Sequence, residues 1–290
     1  MRQFFFILVF LFSAIAAKAA DGQGTVYAVN YPLQYFADRI AGDDLAVVFP
    51  VPADVDPAYW EPTVEDLVAF QGADLVLLNG AGYASWLKEA SLPRSRLIDT
   101  SKTYKDRLIA SEESAVHSHG PEGEHSHAGK IAFTTWLDMS LAREQALAVK
   151  NAFVRRWPDL KNGFEARHQE LDADLKALED KLSEAFTPLK GKAVFASHPV
   201  YQYLARAHGL ETTSFHWEPD VTPSEADWAE FNQKLAQTPV KVMIWEAEPT
   251  AETRQHLTSK GLKILIVPPL FQTPETGNFV SELSAVADRL

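Results

Sequence analysis

Four of the nine histidines lie in one polar stretch, residues 117–129, which reads HSHGPEGEHSHAG. They form two His-x-His pairs, His117/His119 and His125/His127. In extended backbone the first and third residues point to one face, so each pair can offer two imidazole nitrogens to one metal ion. Neutral imidazole is a ligand for Zn²⁺, Ni²⁺ and Cu²⁺. The stretch is either a tract that chelates metal loosely or part of a defined binding site.

Other metal-ligand types follow three predicted strands in the second half of the chain. His198 comes after VFAS, His216 after TTSF, and Glu246 and Glu248 flank Ala247 after VMIW. In open parallel sheets the loops at the carboxyl ends of the strands converge, and ligands bind there. Two imidazoles and a carboxylate suit Zn²⁺, although Mn²⁺ or another divalent metal is an alternative. We therefore predict a metal site containing His198, His216 and Glu246.

The first half of the chain offers fewer donors at the ends of its predicted strands. Asp56 and Glu61 are the charged candidates in VPADVDPAYWEP. Asp56 before a proline is equally explained as a turn residue, and Glu61 before a proline as a helix entry. Tyr59 and Trp60 are interpreted as residues that form a wall of the binding site or the interface between the two lobes.

Three further histidines are interpreted as structural. His168 falls on the apolar stripe of a predicted long helix and is expected to pack against a core. His208 precedes Gly209 in a predicted last helical turn, where a protonated imidazole would favour the helix dipole. His256 is predicted to be a solvated helix residue.

Short apolar runs alternate with helix-sized segments along the chain. This alternation is typical of βαβ units with parallel sheet. The runs are TVYAVN (25–30), AVVFPV (46–51), ADLVLLNG (73–80), SRLIDTS (95–101), KAVFAS (192–197), ETTSF (211–215), VKVMIW (240–245) and LKILIV (262–267). The predicted fold class is α/β, with two lobes of parallel-sheet βα units joined by one long bridging helix.

The predicted boundaries divide the chain into four parts. Residues 1–19 are a signal peptide and 20–157 an N-terminal lobe with a His-rich loop at 113–129. Residues 158–188 are the linking helix and 189–290 the C-terminal lobe. A single connecting segment between the lobes would limit hinge opening.

The first residues have the layout of a secretory leader. Arg2 precedes an apolar run, and Ala17-Lys18-Ala19 forms an A-x-A cleavage site. The run is short for a membrane span, which needs about 20 residues, although an anchor helix is the alternative. The sequence contains no cysteine, so a disulfide, a thiolate metal site and a lipid-modified cysteine are not expected. These features predict a periplasmic protein.

Charge and motifs narrow the function classes. The formal net charge of −12 disfavours nucleic acid and anionic lipid but is compatible with cations. The sequence has neither H-E-x-x-H nor G-x-S-x-G, and Gly80-Ala81-Gly82 is too short for a phosphate-binding fingerprint. We predict a protein that is not an enzyme. A zinc hydrolase with Glu246 or Glu248 as general base is the minority alternative.

Three segments resemble the zinc/manganese-type substrate-binding proteins of ABC importers. VPADVDPAYWEPTVEDL resembles the family's G-x-D-P-H-x-Y-E-P, FTTWLDMSLA its D-P-H-x-W-L-D-P, and VFASHPVYQYLARAHGL its S-H-x-x-x-x-Y-L. The His-rich insertion stands where zinc-specific members carry theirs. The resemblance implies a monomer that delivers a divalent metal to an ABC permease. A periplasmic metallochaperone or metal sensor is the alternative.

The resemblance also implies a ligand set from which this sequence departs. The family's first two ligand histidines fall on Ala58 and Thr134, and its late aspartate falls on Pro268. Only the third ligand position is kept, as His198. Either the usual site is lost, or it is rebuilt from His216, Glu246 and one or both His-x-His pairs, and we predict the second.

Overall fold

The computed structural model describes residues 24–111 and 131–290. The predicted signal peptide (1–19) and the histidines His117, His119, His125 and His127 lie outside the described residues. Within the described ranges, the strands are Thr25–Ala28 (β1), Ala46–Val48 (β2), Leu75–Leu78 (β3), Leu97–Asp99 (β4), Ala193–Ala196 (β5), Glu211–Ser214 (β6), Val242–Trp245 (β7) and Lys263–Ile266 (β8).

The α-helices alternate with these strands. They are Tyr31–Ala41 (α1), Val64–Gly72 (α2), Met139–Arg156 (α3), Lys161–Phe186 (α4), Gln202–His208 (α5), Glu225–Gln237 (α6), Ala251–Ser259 (α7) and Phe279–Arg289 (α8). Short 3-10 turns at Pro158–Leu160 and Thr187–Leu189 flank α4. None of the helices in the described ranges is both long and apolar enough to cross a bilayer.

Each lobe contains one four-stranded sheet in which all strands are parallel. The orders are β2-β1-β3-β4 and β6-β5-β7-β8, so the two lobes repeat one topology. The strands are short and lie in the apolar runs of the sequence, because sheets covered by helices on both faces need continuously apolar strands. The loops at the carboxyl ends of both sheets face the space between the lobes.

The 26-residue helix α4 joins the lobes. Its buried residues recur at intervals of three, four or seven positions and form one face: Phe164, Leu171, Leu175, Leu178, Leu182 and Phe186. These side chains belong to a core that also contains Val26 of β1 and Val194 of β5. The predicted fold, two parallel α/β lobes joined by a long helix, is confirmed.

Helix α8 ties the end of the chain back to the first lobe. Phe279 packs edge-on against Phe36 of α1 with ring centroids 5.2 Å apart, and the backbone N–H of Phe279 donates to the Tyr31 hydroxyl at 3.1 Å. The helix begins at Phe279, because the Asn278 side chain accepts hydrogen bonds from the first-turn N–H groups.

Two histidine predictions are wrong and one is confirmed. His256 is not solvated: its ring stacks on Trp228 at 3.9 Å, and its Nε2 is buried. His208 does not act as a cation at the end of α5, because burial lowers its pKa to about 4 while its ring stacks on Phe186 at 4.5 Å. His168 packs as expected: its Nε2 is buried, and burial lowers its pKa.

Candidate metal site

A cavity of about 1030 Å³ opens between the carboxyl ends of the two sheets. The loops after β2 and β3 line it from the first lobe, and the loops after β5, β6 and β7 line it from the second. Its described acidic and imidazole residues are Asp54, Asp56, His198, His216, Glu218 and Glu246, and Lys88 is the basic residue among the described lining residues. A wall with this balance of charge favours a cation over an anion.

His198 lies two residues beyond the end of β5, in the second-lobe wall of the cavity. Its Nδ1 is 3.2 Å from the backbone carbonyl oxygen of Trp217. A carbonyl oxygen can only accept a hydrogen bond, so this contact requires the ring proton on Nδ1. In the neutral imidazole the lone pair is then on Nε2, which is 3.4 Å from Oε1 of Glu218. The ring nitrogen of His198 that does not contact Trp217 therefore faces Glu218.

Glu246 follows β7 directly and lies on the other side of the imidazole. Its Oε1 is 3.4 Å from Nδ1 of His198, and its side chain is largely buried. Burial raises the pKa of the Glu246 carboxyl; the neighbouring His198 opposes this shift, and the charges of Glu218 and Asp56 add to it. Glu246 thus lies within ion-pair distance of the same Nδ1 that contacts the Trp217 carbonyl.

The segment after β6 points alternate residues in opposite directions. Phe215 and Trp217 are buried, and their ring centroids lie 4.9 Å apart. Both belong to the second-lobe core cluster that contains Phe231. His216 and Glu218, the residues that alternate with them, both line the cavity. The His216 ring is perpendicular to that of His198, with centroids 5.9 Å apart. We did not predict Glu218 from the sequence, although the alternation in FHWE places it beside His216.

Asp56 is the half-buried carboxylate of the first-lobe wall. Its Oδ1 accepts the backbone N–H of Ala58 at 2.8 Å. Burial raises the pKa of the Asp56 carboxyl and is the largest effect. The hydrogen bond from Ala58 lowers this pKa, the charge of Glu218 raises it, and the charge of His198 lowers it. Because Glu218 and His198 belong to the second lobe, these effects show that the two walls act electrostatically on each other.

The two other carboxylates considered from the sequence lie elsewhere. Glu61 is exposed and is not among the residues that line the cavity. Glu248 forms an ion pair with Arg254 of α7. Of the three acidic residues left open as ligands, the structure thus brings only Asp56 to the cavity.

The positions implied by the family resemblance converge in space. Ala58 and Thr134 both line the cavity with His198. Thr134 is buried, and its hydroxyl donates to the carbonyl oxygen of Val200 at 2.5 Å. Pro268 is not among the described lining residues. The fold therefore keeps the place of the site while two of its wall positions lack an imidazole.

The predicted loop histidines lie outside the described residues, but both ends of their segment are at the cavity. Ser111 and Ile131 line it. Ala110 pairs with Ile131 in an antiparallel bridge, and the N–H of Ala132 donates to Ile109 at 2.9 Å. The Tyr203 hydroxyl donates to the carbonyl oxygen of Ala132 at 2.9 Å. This hydrogen bond connects the residues that flank the histidine segment to α5 of the second lobe.

The polar residues at the ends of β1 and β3 support the wall instead of lining it. Asn79 is fully buried, and its Nδ2 donates to the carbonyl oxygen of Phe133 at 2.8 Å. Its Oδ1 accepts from Gln145 at 3.0 Å and lies 3.4 Å from Nδ2 of Asn30. This network fixes the segment that carries Phe133 and Thr134.

The described donors do not form a complete coordination shell. Within residues 24–111 and 131–290, no three His, Asp or Glu side chains lie close enough together to hold a metal ion. His198, His216, Glu218 and Asp56 line the cavity as separate donor side chains. A coordination shell built from them would need movement of these side chains or additional ligands.

Comparison with known proteins gives this cavity a family context. A family profile described as ZnuA, zinc-uptake complex component A, periplasmic, matches residues 26–290. The zinc-binding lipoprotein AdcA of Streptococcus pneumoniae serotype 4 (strain ATCC BAA-334 / TIGR4) is 25% identical over 268 residues, which are 90% of this chain and 53% of AdcA. The high-affinity zinc uptake system protein ZnuA of Bacillus subtilis (strain 168) is 27% identical over 250 residues, 83% of this chain and 77% of that protein. The chain thus spans about half the length of the AdcA relatives that it matches.

Solved structures show the same fold. The metal-dependent lipoprotein YcdH of Bacillus subtilis superposes with a TM-score of 0.76 at 23% identity, covering 92% of this chain and 98% of that one. The Zn(II)-bound ZnuA-like domain of Streptococcus pneumoniae AdcA also has a TM-score of 0.76, at 19% identity and with 92% and 97% of the two chains covered. The family matched by the profile is a transport component and not an enzyme. With nearly all of its described residues inside that match, this chain belongs to the ZnuA family of zinc-uptake components.

Proposed function

We propose that this protein captures Zn²⁺ in the cavity between its lobes and delivers it to an ABC permease. The observation that carries the proposal is the convergence of His198, His216 and Glu218 with Asp56 of the opposite lobe in one acidic cavity. The names of relatives with zinc binding and zinc uptake support the choice of metal. Nitrogen and carboxylate donors also match the ligand preferences of Zn²⁺.

In the proposed site, His198 binds the metal through Nε2. Two ligands at about 2.1 Å from a tetrahedral zinc are roughly 3.4 Å apart, and Nε2 and Oε1 of Glu218 are already 3.4 Å apart. His216, two residues before Glu218, is the second imidazole on this wall. The sequence alone suggested Glu246 as a direct ligand, which would require Nδ1 to face the metal. Because Nδ1 donates to Trp217, we propose that Glu246 belongs to the site by holding that N–H, as carboxylates commonly do behind zinc-bound histidines.

The remaining coordination positions are proposed for one His-x-His pair, His117/His119 or His125/His127. Ala58 and Thr134 supply no imidazole, and tetrahedral zinc sites usually contain several nitrogen ligands. The position of Ser111 and Ile131 in the cavity wall supports this assignment, because only a few residues of sequence separate each of them from a His-x-His pair.

The proposed setting is the periplasm, reached through a cleaved leader at residues 1–19, with the protein acting as a monomer. The family's periplasmic description supports the location. Neighbouring genes for a permease and an ATPase would distinguish an importer component from a metallochaperone or sensor.

Titration of metal-free protein with Zn²⁺ in a calorimeter tests the proposal. We expect tight binding by the unaltered protein and at least a tenfold loss of affinity, about 1.4 kcal/mol, in His198→Ala. His256→Gln, which changes an imidazole stacked on Trp228 outside the cavity, is the matched control. Equal affinity of His198→Ala and the unaltered protein for the tightest site would refute the proposal.

A further inference from the structure

Tyr83 presents an unexplained hydroxyl at the cavity. The residue lines the cavity and is only 5% exposed. Its Oη is buried and has no hydrogen-bond partner among the described residues. Burying a hydroxyl without a partner costs free energy, and folded proteins rarely retain one without a reason.

The surrounding structure fixes this ring. Phe133 and Trp136 both meet it edge-on, with centroid distances of 5.1 and 5.8 Å. In the same loop, Ala81 and Ala84 have φ angles of 53° and 56°, in the left-handed region that alanine rarely adopts. Strained backbone of this kind persists where the surroundings require it, often at binding sites. The loop thus carries a conformational cost and an unsatisfied hydroxyl together.

Asp56 is a charged residue that lines the same cavity as Tyr83. Its negative charge contributes to holding the pKa of Tyr83 well above the usual range, after the larger effect of burial, so the phenol stays protonated and is a donor. Asp56 uses Oδ1 to accept the Ala58 N–H. A carboxylate has several further lone pairs, so one such group can accept from a phenol and bind a metal at once.

We propose that Asp56 is the first lobe's metal ligand and that Tyr83 is a positioning residue that donates its hydroxyl hydrogen bond to Asp56 in the metal-bound state. The proposal rests on the proposed function. The first lobe then contributes a metal ligand, although the side chain of Ala58 has no atom that could bind a metal. A bound cation offsets the repulsion among the negative charges of Asp56, Glu218 and Glu246. The Asp56 carboxylate can then lie between the metal ion and the Tyr83 hydroxyl.

The test compares Tyr83→Phe and Asp56→Asn, singly and together, in the full mature protein. Zinc affinity is measured by calorimetry, and the melting temperature is measured without metal. We expect each single variant to bind Zn²⁺ about tenfold more weakly, and the double variant to bind no more weakly than Asp56→Asn. We expect Tyr83→Phe to melt no lower than the unaltered metal-free protein, because it removes an unsatisfied polar atom. Tyr27→Phe, a tyrosine packed on Phe70 outside the cavity, is the matched control.

The possible outcomes separate this proposal from the proposed function. Unchanged affinity in Tyr83→Phe overturns the positioning role, and so do additive losses in the double variant. A lower melting temperature in Tyr83→Phe also overturns it, because the hydroxyl would then stabilise the metal-free fold. Unchanged affinity in Asp56→Asn overturns the ligand assignment. If the unaltered protein binds no zinc, both the proposed function and this proposal are refuted.

Discussion

The Nδ1 of His198 lies 3.2 Å from the carbonyl oxygen of Trp217, so in the neutral imidazole the proton is on Nδ1 and the lone pair on Nε2. The position of this carbonyl is set by the second-lobe core. The Trp217 ring is buried 5.5 Å from that of Phe231 and 6.1 Å from that of Trp245. The aromatic core therefore fixes which nitrogen of His198 faces Glu218, and the different roles that we propose for Glu218 and Glu246 follow from this orientation.

Substituting the two glutamates separates a ligand from a group that orients a ligand. We expect Glu218→Gln to weaken zinc binding and to change the visible absorption of the Co²⁺-loaded protein, because a metal–oxygen bond is lost. Glu246→Gln should weaken binding by roughly tenfold, which is typical of a lost hydrogen-bonding partner behind a ligand, and leave the Co²⁺ spectrum intact. The opposite pattern of spectra would assign Glu246 as the direct ligand.

Zinc affinity should fall on acidification from about pH 7.5 to 5.5, where free histidine takes up its proton. The carboxylates add to this effect. The pKa values of Glu246 and Asp56 are both raised, chiefly by burial, so these groups are protonated at higher pH than ordinary carboxyls and lose their charge earlier as pH falls. Calorimetric titrations at several pH values check the trend, and a dissociation constant that does not change over this window would contradict a histidine-containing site.

The sequence was sufficient for the fold class and for part of the cavity wall. The apolar runs marked all eight described strands, and because parallel strands share one carboxyl edge, the residues after them could be placed together. His198, His216 and Glu246 do line one cavity. Whether each of them binds metal stays a prediction.

Other features depend on contacts that no local pattern contains. The buried hydroxyl of Tyr83 depends on Phe133 and Trp136, which are distant in sequence. His256 was misjudged because its helix is polar around it, and only the fold brings Trp228 against its ring. The roles that we propose for Glu218 and Glu246 depend on the ring orientation of His198, which its contact with the Trp217 carbonyl fixes.

His208 should make the protein less stable in acid. Its pKa is about 4 in the folded state against 6.5 ordinarily, mainly because of burial. The unfolded chain then binds more protons between these values, so stability falls as pH drops from 6.5 toward 4, by on the order of 2–3 kcal/mol in total. We expect His208→Phe, which retains a ring for Phe186, to lose this contribution.

Urea unfolding of the metal-free protein at pH 8 and pH 4.5 measures the effect. The stability of His208→Phe relative to the unaltered protein should be greater at the lower pH. His168 also has a lowered pKa, so the comparison is between the two proteins at each pH and not between pH values alone. An identical pH dependence in both proteins would show that His208 does not contribute.

The last prediction concerns the two His-x-His pairs. If the stretch only gathers metal, removing either pair should lower the stoichiometry and leave the tightest dissociation constant unchanged. Because Ala58 and Thr134 leave the cavity short of nitrogen ligands, we expect one double variant to lose the tight site and the other to retain it. We choose His125→Ala/His127→Ala as the damaging variant, since this pair is nearer in sequence to Ile131 in the cavity wall and a shorter tether costs less to order. His117→Ala/His119→Ala is its matched control, with the same number of imidazoles removed from the same stretch. Calorimetry on both variants decides the matter: if both bind zinc as tightly as the unaltered protein, the pairs are not ligands of the tight site.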